Sequence, residues 1–211
     1  MTDAVPRAYR SELRARQAKE TRARIVAASA DLFATRGYQA TTIAAIAREA
    51  GVSAETVKTA AAKAELLIAA FEVTFSGSEA AESLADTEVA AGVMELPDDV
   101  FLDAVLAQIT TANSRGHALW TVLLGAASSD QVVDEALKNI LKHRAADYRL
   151  LVSELLRRGI AKELTDPDAT ADVLSFLLSP ESYQQLVVQS GWTPERYGSW
   201  LRAAVLAEIA K

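Results

Sequence analysis

The stretch from Arg24 to Leu67 constrains the fold of this chain more than any other, because apolar spacing, glycines and cap residues there lay out three short helices. Ile25, Ala28, Leu32 and Phe33 recur at helical intervals as one apolar stripe, and Gly37 supplies the residue that best tolerates the left-handed end of a helix. Thr41 or Thr42 is placed to cap a second helix by accepting from its free N–H groups. Ile43, Ile46, Ala47 and Ala50 then form a second stripe, which Gly51 breaks. Ser53 is the expected N-cap of a third helix, with Val52 and Val57 as inward anchors and Ala54, Glu55, Lys58 and Thr59 facing outward. Helix, glycine turn and capped helix is the grammar of a helix-turn-helix that reads DNA.

Charge supports that reading. The chain as a whole is acidic, with 28 Asp and Glu against 22 Lys and Arg. Residues 1–67 nevertheless hold 11 Lys and Arg against 7 Asp and Glu, whereas residues 68–211 hold 11 against 21. The electropositive footprint expected of a nucleic-acid binder is confined to the N-terminal third. Arg7, Arg10, Arg14, Arg16, Lys19, Arg22 and Arg24 crowd the entry to the first helix. Two readings stay open for residues 1–19: a flexible arm that neutralises phosphates or enters a minor groove, and a solvated tail.

Half of the residues are apolar, few are aromatic, and no alternating β-branched run suggests a sheet, so the expected fold class is all-α. The expected division is an arm over 1–19, a three-helix DNA-binding unit over 20–67 and a larger helical domain over 68–211. The absence of Cys removes disulfides and thiolate chemistry and suits the reducing cytoplasm, where the chain is expected. No apolar run approaches the roughly twenty residues of a membrane span. Phosphate-cradling glycine loops, a Gly-x-Ser-x-Gly elbow and a His-Glu-x-x-His pair are missing, so neither an enzyme nor a cofactor is expected. His117 and His143 alone are too little for a histidine metal site, and Asp98, Asp99 and Asp103 read as helix-start charges.

In the larger domain a fourth helix carries Ile68, Phe71 and Phe75 up to Ser76-Gly77-Ser78, and residues 76–97 read as a connection. A helix from Asp98 to about Arg115 is expected to be interrupted at Gly116, and 117–127 is so apolar that it reads as a separate buried helix. The amphipathic run from Asp130 to Arg158, ended by Gly159, is expected to be the longest helix. Asp166 with Pro167, and Thr193 with Pro194, mark two further helix starts, with a restart at Pro180 and a last helix to about Ile209.

The motifs Ile25-Val26-x-Ala28, Leu32-Phe33, Gly37-Tyr38, Thr41-Thr42, Ile46-Ala47 and Ala50-Gly51-Val52-Ser53 stand in one register. In this they resemble the tetracycline-repressor (TetR) family of bacterial transcriptional regulators. The resemblance implies a homodimer on a palindromic double-stranded operator, released when a small effector binds the larger domain. DNA contacts would come from Arg22, Thr41, Thr42, Ser53, Ala54, Glu55, Thr56, Lys58, Thr59 and Lys63. A small apolar effector would sit among Phe75, Phe101, Ile109, His117, Trp120, Leu124, Tyr148, Val152 and Phe176. The dimer would use Leu174, Leu177, Leu178, Leu186, Val187, Trp200, Leu201 and Val205, which as plain sequence read equally as intramolecular core.

The chain departs from the family after Val57. A Tyr and, three residues on, a Phe are replaced by Lys58 and Ala61, and the approach to Lys63 is one residue shorter. Without a breaker between Thr56 and Leu67, the third and fourth helices are expected to run nearly continuously. The alternative this keeps open is a TetR-like dimer whose head no longer reads DNA specifically and which binds only a ligand or protein.

Overall fold

Each helix start that the sequence marks with a cap residue is a helix start in the structure, a computed structural model that describes residues 7–79 and 92–210. The helices are α1 (Arg7–Ala40), α2 (Ile43–Ala50), α3 (Ala54–Ala60), α4 (Lys63–Ser76), α5 (Asp98–Ala127), α6 (Gln131–Arg157), α7 (Pro167–Leu177), α8 (Pro180–Tyr183) and α9 (Pro194–Ile209). A π-helical turn, Gln184–Gln189, continues α8. Oxygens of Thr42, Ser53, Asp166 and Thr193 accept from the N–H groups of Ala45, Thr56, Ala169 and Arg196 at 3.0–3.2 Å. Each satisfies a donor that its helix leaves free. Among the described residues there is no strand, and no helix is long and apolar enough to cross a membrane.

Four expectations are corrected. The region 7–19 is helical and continues α1, whose unbroken run up to the kink at Gly37 (φ 75, ψ 175) is still longer than α6 at 27 residues. Arg, Glu, Leu, Ala and Gln in this segment are good helix formers, and no glycine or proline interrupts them. α5 runs through Gly116 as one helix. A Cβ at Gly116 would lie 2.8 Å from Cδ2 of Phe75, so this glycine admits α4 rather than ending a helix.

α3 and α4, finally, are separate helices, because Ala61 (φ −171, ψ 159) and Ala62 (φ −71, ψ 161) are extended. The Glu65 carboxylate accepts from the Ala62 N–H at 2.7 Å and starts α4 anew. A continuous helix would carry Leu66 and Leu67, both fully buried, out along the axis of α3. Burying one such side chain is worth about 2 kcal/mol, against a few tenths of a kcal/mol per residue from alanine's helix preference.

Two hydrophobic clusters organise the helices. The first joins Ile25, Phe33, Ile46, Val57, Leu67 and Phe71 to Trp120, Leu123 and Val133, so the three-helix head shares one core with α4, the C-terminal half of α5 and the start of α6. The boundary drawn at Leu67 crosses this core. The second joins Phe101, Tyr148, Val152, Leu155, Leu174, Tyr197, Leu201 and Val205 from α5, α6, α7 and α9. Arg158, its side chain 6% exposed, fastens the chain before α5 to the end of α6 by donating to the Leu96 and Met94 carbonyls and pairing with Glu154 and Asp98. The expected connection 76–97 begins at Gly77 in the left-handed region and ends in a 3₁₀ turn, Val93–Glu95; its residues 80–91 lie outside the described residues.

Candidate nucleic-acid interface

The turn between α2 and α3 is set by Gly51, whose φ of 66° and ψ of 38° lie where residues with a Cβ are strained. The Val52 N–H closes the turn on the Ala47 carbonyl at 2.9 Å. Val57, fully buried, pins α3 on the head core from beneath. The opposite face carries Ala54, Glu55, Lys58 and Thr59, all exposed, with Ser53 at the helix start. Ser53 Oγ and Thr56 Oγ1 lie 2.8 Å apart, and Thr59 Oγ1 donates to the Glu55 carbonyl at 2.9 Å. The result is a short, rigidly seated helix whose free face offers hydroxyls, one ammonium and one carboxylate.

Three expected contact residues are placed otherwise. Thr41 is buried and donates to the Leu32 and Gly37 carbonyls at 3.1 and 2.8 Å, so it holds the end of α1 and Thr42 alone caps α2. Arg22 grips Glu79 through Nε and Nη2, the shortest contact 2.6 Å, and donates from Nη1 to the Ala60 carbonyl at 3.0 Å. It caps the C-terminus of α3 instead of presenting a free cation. The fork geometry of a guanidinium allows both bonds together. Lys63 lies with Nζ 4.4 Å from the ring centroid of Tyr38, and burial there lowers its pKa.

Tyr38 and Asp130, which the contact set omitted, tie this head to the rest of the molecule. The Tyr38 hydroxyl donates to Asp130 Oδ2 at 2.6 Å, and Asp130 Oδ1 also caps α6 through the N–H groups of Val132 and Val133. Burial, then the bond to Asp130, raises the Tyr38 pKa, and the same bond is the main cause that lowers Asp130's. The only sequence trace of this link is that Asp130 starts an amphipathic run, which gives no hint of its partner.

Between α1 and the outer face of α3 runs an open groove of about 650 Å³, walled by Gln17, Ala18, Thr21 and Arg22 on one side and Ser53, Glu55, Thr56, Thr59 and Ala60 on the other. The sequence model of bacterial regulatory proteins of the tetR family matches residues 25–70, which span α2 and α3 and reach into α4. The head is thus similar in sequence to those of the tetR family. The fold around it is similar to a Rhodococcus sp. protein described as a TetR-family transcriptional regulator, at 19% identity over 91% of this chain and 100% of that one, with a TM-score of 0.69. It is also similar to NalD, the secondary repressor of the MexAB-OprM multidrug efflux pump in Pseudomonas aeruginosa, at 16% identity over 92% and 98% of the two chains, with a TM-score of 0.65. No sequence match to a curated protein accompanies these likenesses.

Behind this head, the residues expected around an effector divide. Phe75 and Trp120 belong together in the first core cluster where α4 meets α5, whereas His117 stands apart from them, its Nδ1 2.7 Å from Gln184 Oε1 and its ring 5.4 Å from that of Tyr183. Phe101, Tyr148 and Val152 belong to the second core cluster, with Ile109 packed against it. Leu124, 40% exposed, and Phe176, 68% exposed, face outward and line no interior, because each falls on the solvent side of its helix. Of the residues expected at a dimer interface, Leu174, Leu178, Leu201 and Val205 are at most 1% exposed and form intramolecular core. Leu177, Leu186, Val187 and Trp200 remain partly exposed. The outward apolar side chains on these elements are Val173, Phe176 and Val188.

Proposed function

We propose that this chain is a homodimeric DNA-binding transcriptional regulator, a repressor that leaves a palindromic operator when a small, largely apolar effector binds the larger domain. The observation that carries the reading is that α3 is a separate capped helix seated on Val57, with Ala54, Glu55, Lys58 and Thr59 free to meet base edges or phosphates. The tetR-family match over residues 25–70 supports the same reading. Ser53, Thr56 and Lys58 act on phosphates, and Ala54, Glu55 and Thr59 face bases; Glu55 suits the amino group of a cytosine.

A dimer is required because two reading helices must reach successive major grooves. Phe176, with Val173 and Val188, offers the apolar face for it. Phe75 and Trp120 are where an effector reaches both α4 and α5, so that occupancy shifts the helix that carries the head.

The experiment is fluorescence anisotropy of the purified protein with DNA from immediately upstream of its own gene and with unrelated DNA, across a salt series. Tight binding to the upstream DNA alone is expected. Equal, weak and salt-sensitive binding to both would replace the regulator reading with that of a ligand or protein binder whose head has lost specificity.

A further inference from the structure

The geometry points to a binding site for an apolar monocarboxylate at the junction of α4, α5 and α6, with Arg144 and Trp120 Nε1 as its two donors. The inference rests on the reading that an effector enters beside Phe75 and Trp120, and it names that effector's chemistry. Three rings form a ladder there. The centroids of Phe75 and Phe71 stand 5.3 Å apart, and those of Phe71 and Trp120 5.4 Å. Phe75, partly exposed, is the outer rung, while Phe71 and Trp120 are 4% and 2% exposed. The ladder ends on a cation, because the Arg144 guanidinium lies 5.3 Å from the centre of the Trp120 ring.

The inner end of the ladder is short of acceptors. Trp120 Nε1 is buried and makes no hydrogen bond among the described residues. An indole N–H only donates, so nothing but an acceptor satisfies it, and a buried donor left unpaired works against the fold. Arg144, its side chain 22% exposed, donates from Nη1 to Glu181 at 3.5 Å, the long limit of a hydrogen bond. Glu181, on α8, is the more exposed partner at 40% and can turn to solvent. A ligand carboxylate in its place accepts from the guanidinium with one oxygen and from the indole N–H with the other, both as charge-assisted bonds. One cation and one neutral donor suit a single negative charge, and Glu181 close by opposes the second charge of a phosphate. The rings take the apolar remainder of the ligand, and their low polarity strengthens the charge pair.

The test is isothermal titration of the full chain with octanoate, decanoate, dodecanoate and phenylbutyrate, each compared with the alcohol of the same skeleton. At least one acid is expected to bind about tenfold or more tighter than its alcohol, as a charge-assisted hydrogen bond should give. Arg144→Gln should abolish that preference. Trp120→Phe, which keeps an aromatic ring but removes the N–H, should reduce it. Arg149→Gln, on the same helix where Arg149 pairs with Asp168, should leave it intact. If no acid binds, or if every acid and its alcohol bind alike in the wild type, the carboxylate site is overturned without recourse to a variant. An acid preference that survives Arg144→Gln, or that Trp120→Phe does not touch, overturns it as well. None of these outcomes bears on the DNA anisotropy that decides the regulator reading, and a failure of upstream DNA binding would leave an acid preference standing.

Discussion

At the residue scale, Tyr38 shows how one hydroxyl joins two parts of a chain. The start of α6 needs an acceptor for its free N–H groups, which Asp130 provides, and the same carboxylate accepts from the Tyr38 hydroxyl at 2.6 Å. Tyr38→Phe keeps the ring beneath Lys63 and removes only this bond. It should cost about 1.5 kcal/mol, typical of a hydrogen bond to a charged group. Asp130 has its pKa depressed by Tyr38, so the stability it contributes is present above the ordinary carboxylate range near pH 4 and is lost as pH falls through its lower folded value. The gap in urea midpoint between wild type and Tyr38→Phe should therefore be full at neutral pH and shrink in acid; a gap that does not change with pH would show that Asp130 is not the partner that matters. Arg22 makes the same point about the candidate site. Its basic charge and position in the sequence suit a phosphate contact, but the Ala60 carbonyl and Glu79, 38 and 57 residues away in sequence, claim it first.

At the scale of elements, capping was readable and junctions were not. Thr42, Ser53, Asp166 and Thr193 act within three residues of themselves, so their roles are local chemistry. Gly116 and the Ala61–Ala62 break depend on what packs against them. A glycine inside a helix is ordinarily improved by alanine, by about 1 kcal/mol. Here the added Cβ meets the Phe75 ring at 2.8 Å, and the ring is wedged between helices. Gly116→Ala should therefore destabilise by about 1–3 kcal/mol, the usual cost of overfilling a packed site, and Phe75→Leu in the same chain should recover part of it. Thermal unfolding of the single and double variants gives the answer, and a stabilised Gly116→Ala would mean that α4 does not press on α5 at this point.

At the scale of the whole molecule, the expected dimer face is the clearest case of a pattern that sequence cannot resolve. Leucines and valines at helical spacing on α7 and α9 serve equally as core or as interface. Packing within one protomer takes Leu174, Leu178, Leu201 and Val205 and leaves Phe176 outside. Phe176→Glu should leave the thermal midpoint of the protomer fold nearly unchanged while converting the dimer to monomer in sedimentation velocity. It should weaken operator binding as well, because two half-sites are no longer held together. A Phe176→Glu protein that still sediments as a dimer would move the interface elsewhere. The sequence by itself determined the helical class, the positions of the caps and the start of the third helix, because periodicity, cap chemistry and glycine geometry act over a few neighbouring residues. Only the tertiary structure decided that α3 and α4 part at Ala61, that α5 passes through Gly116, that Arg22 and Thr41 serve the scaffold, and which apolar side chains face outward. Each of these depends on which distant residue fills the space or claims the hydrogen bond.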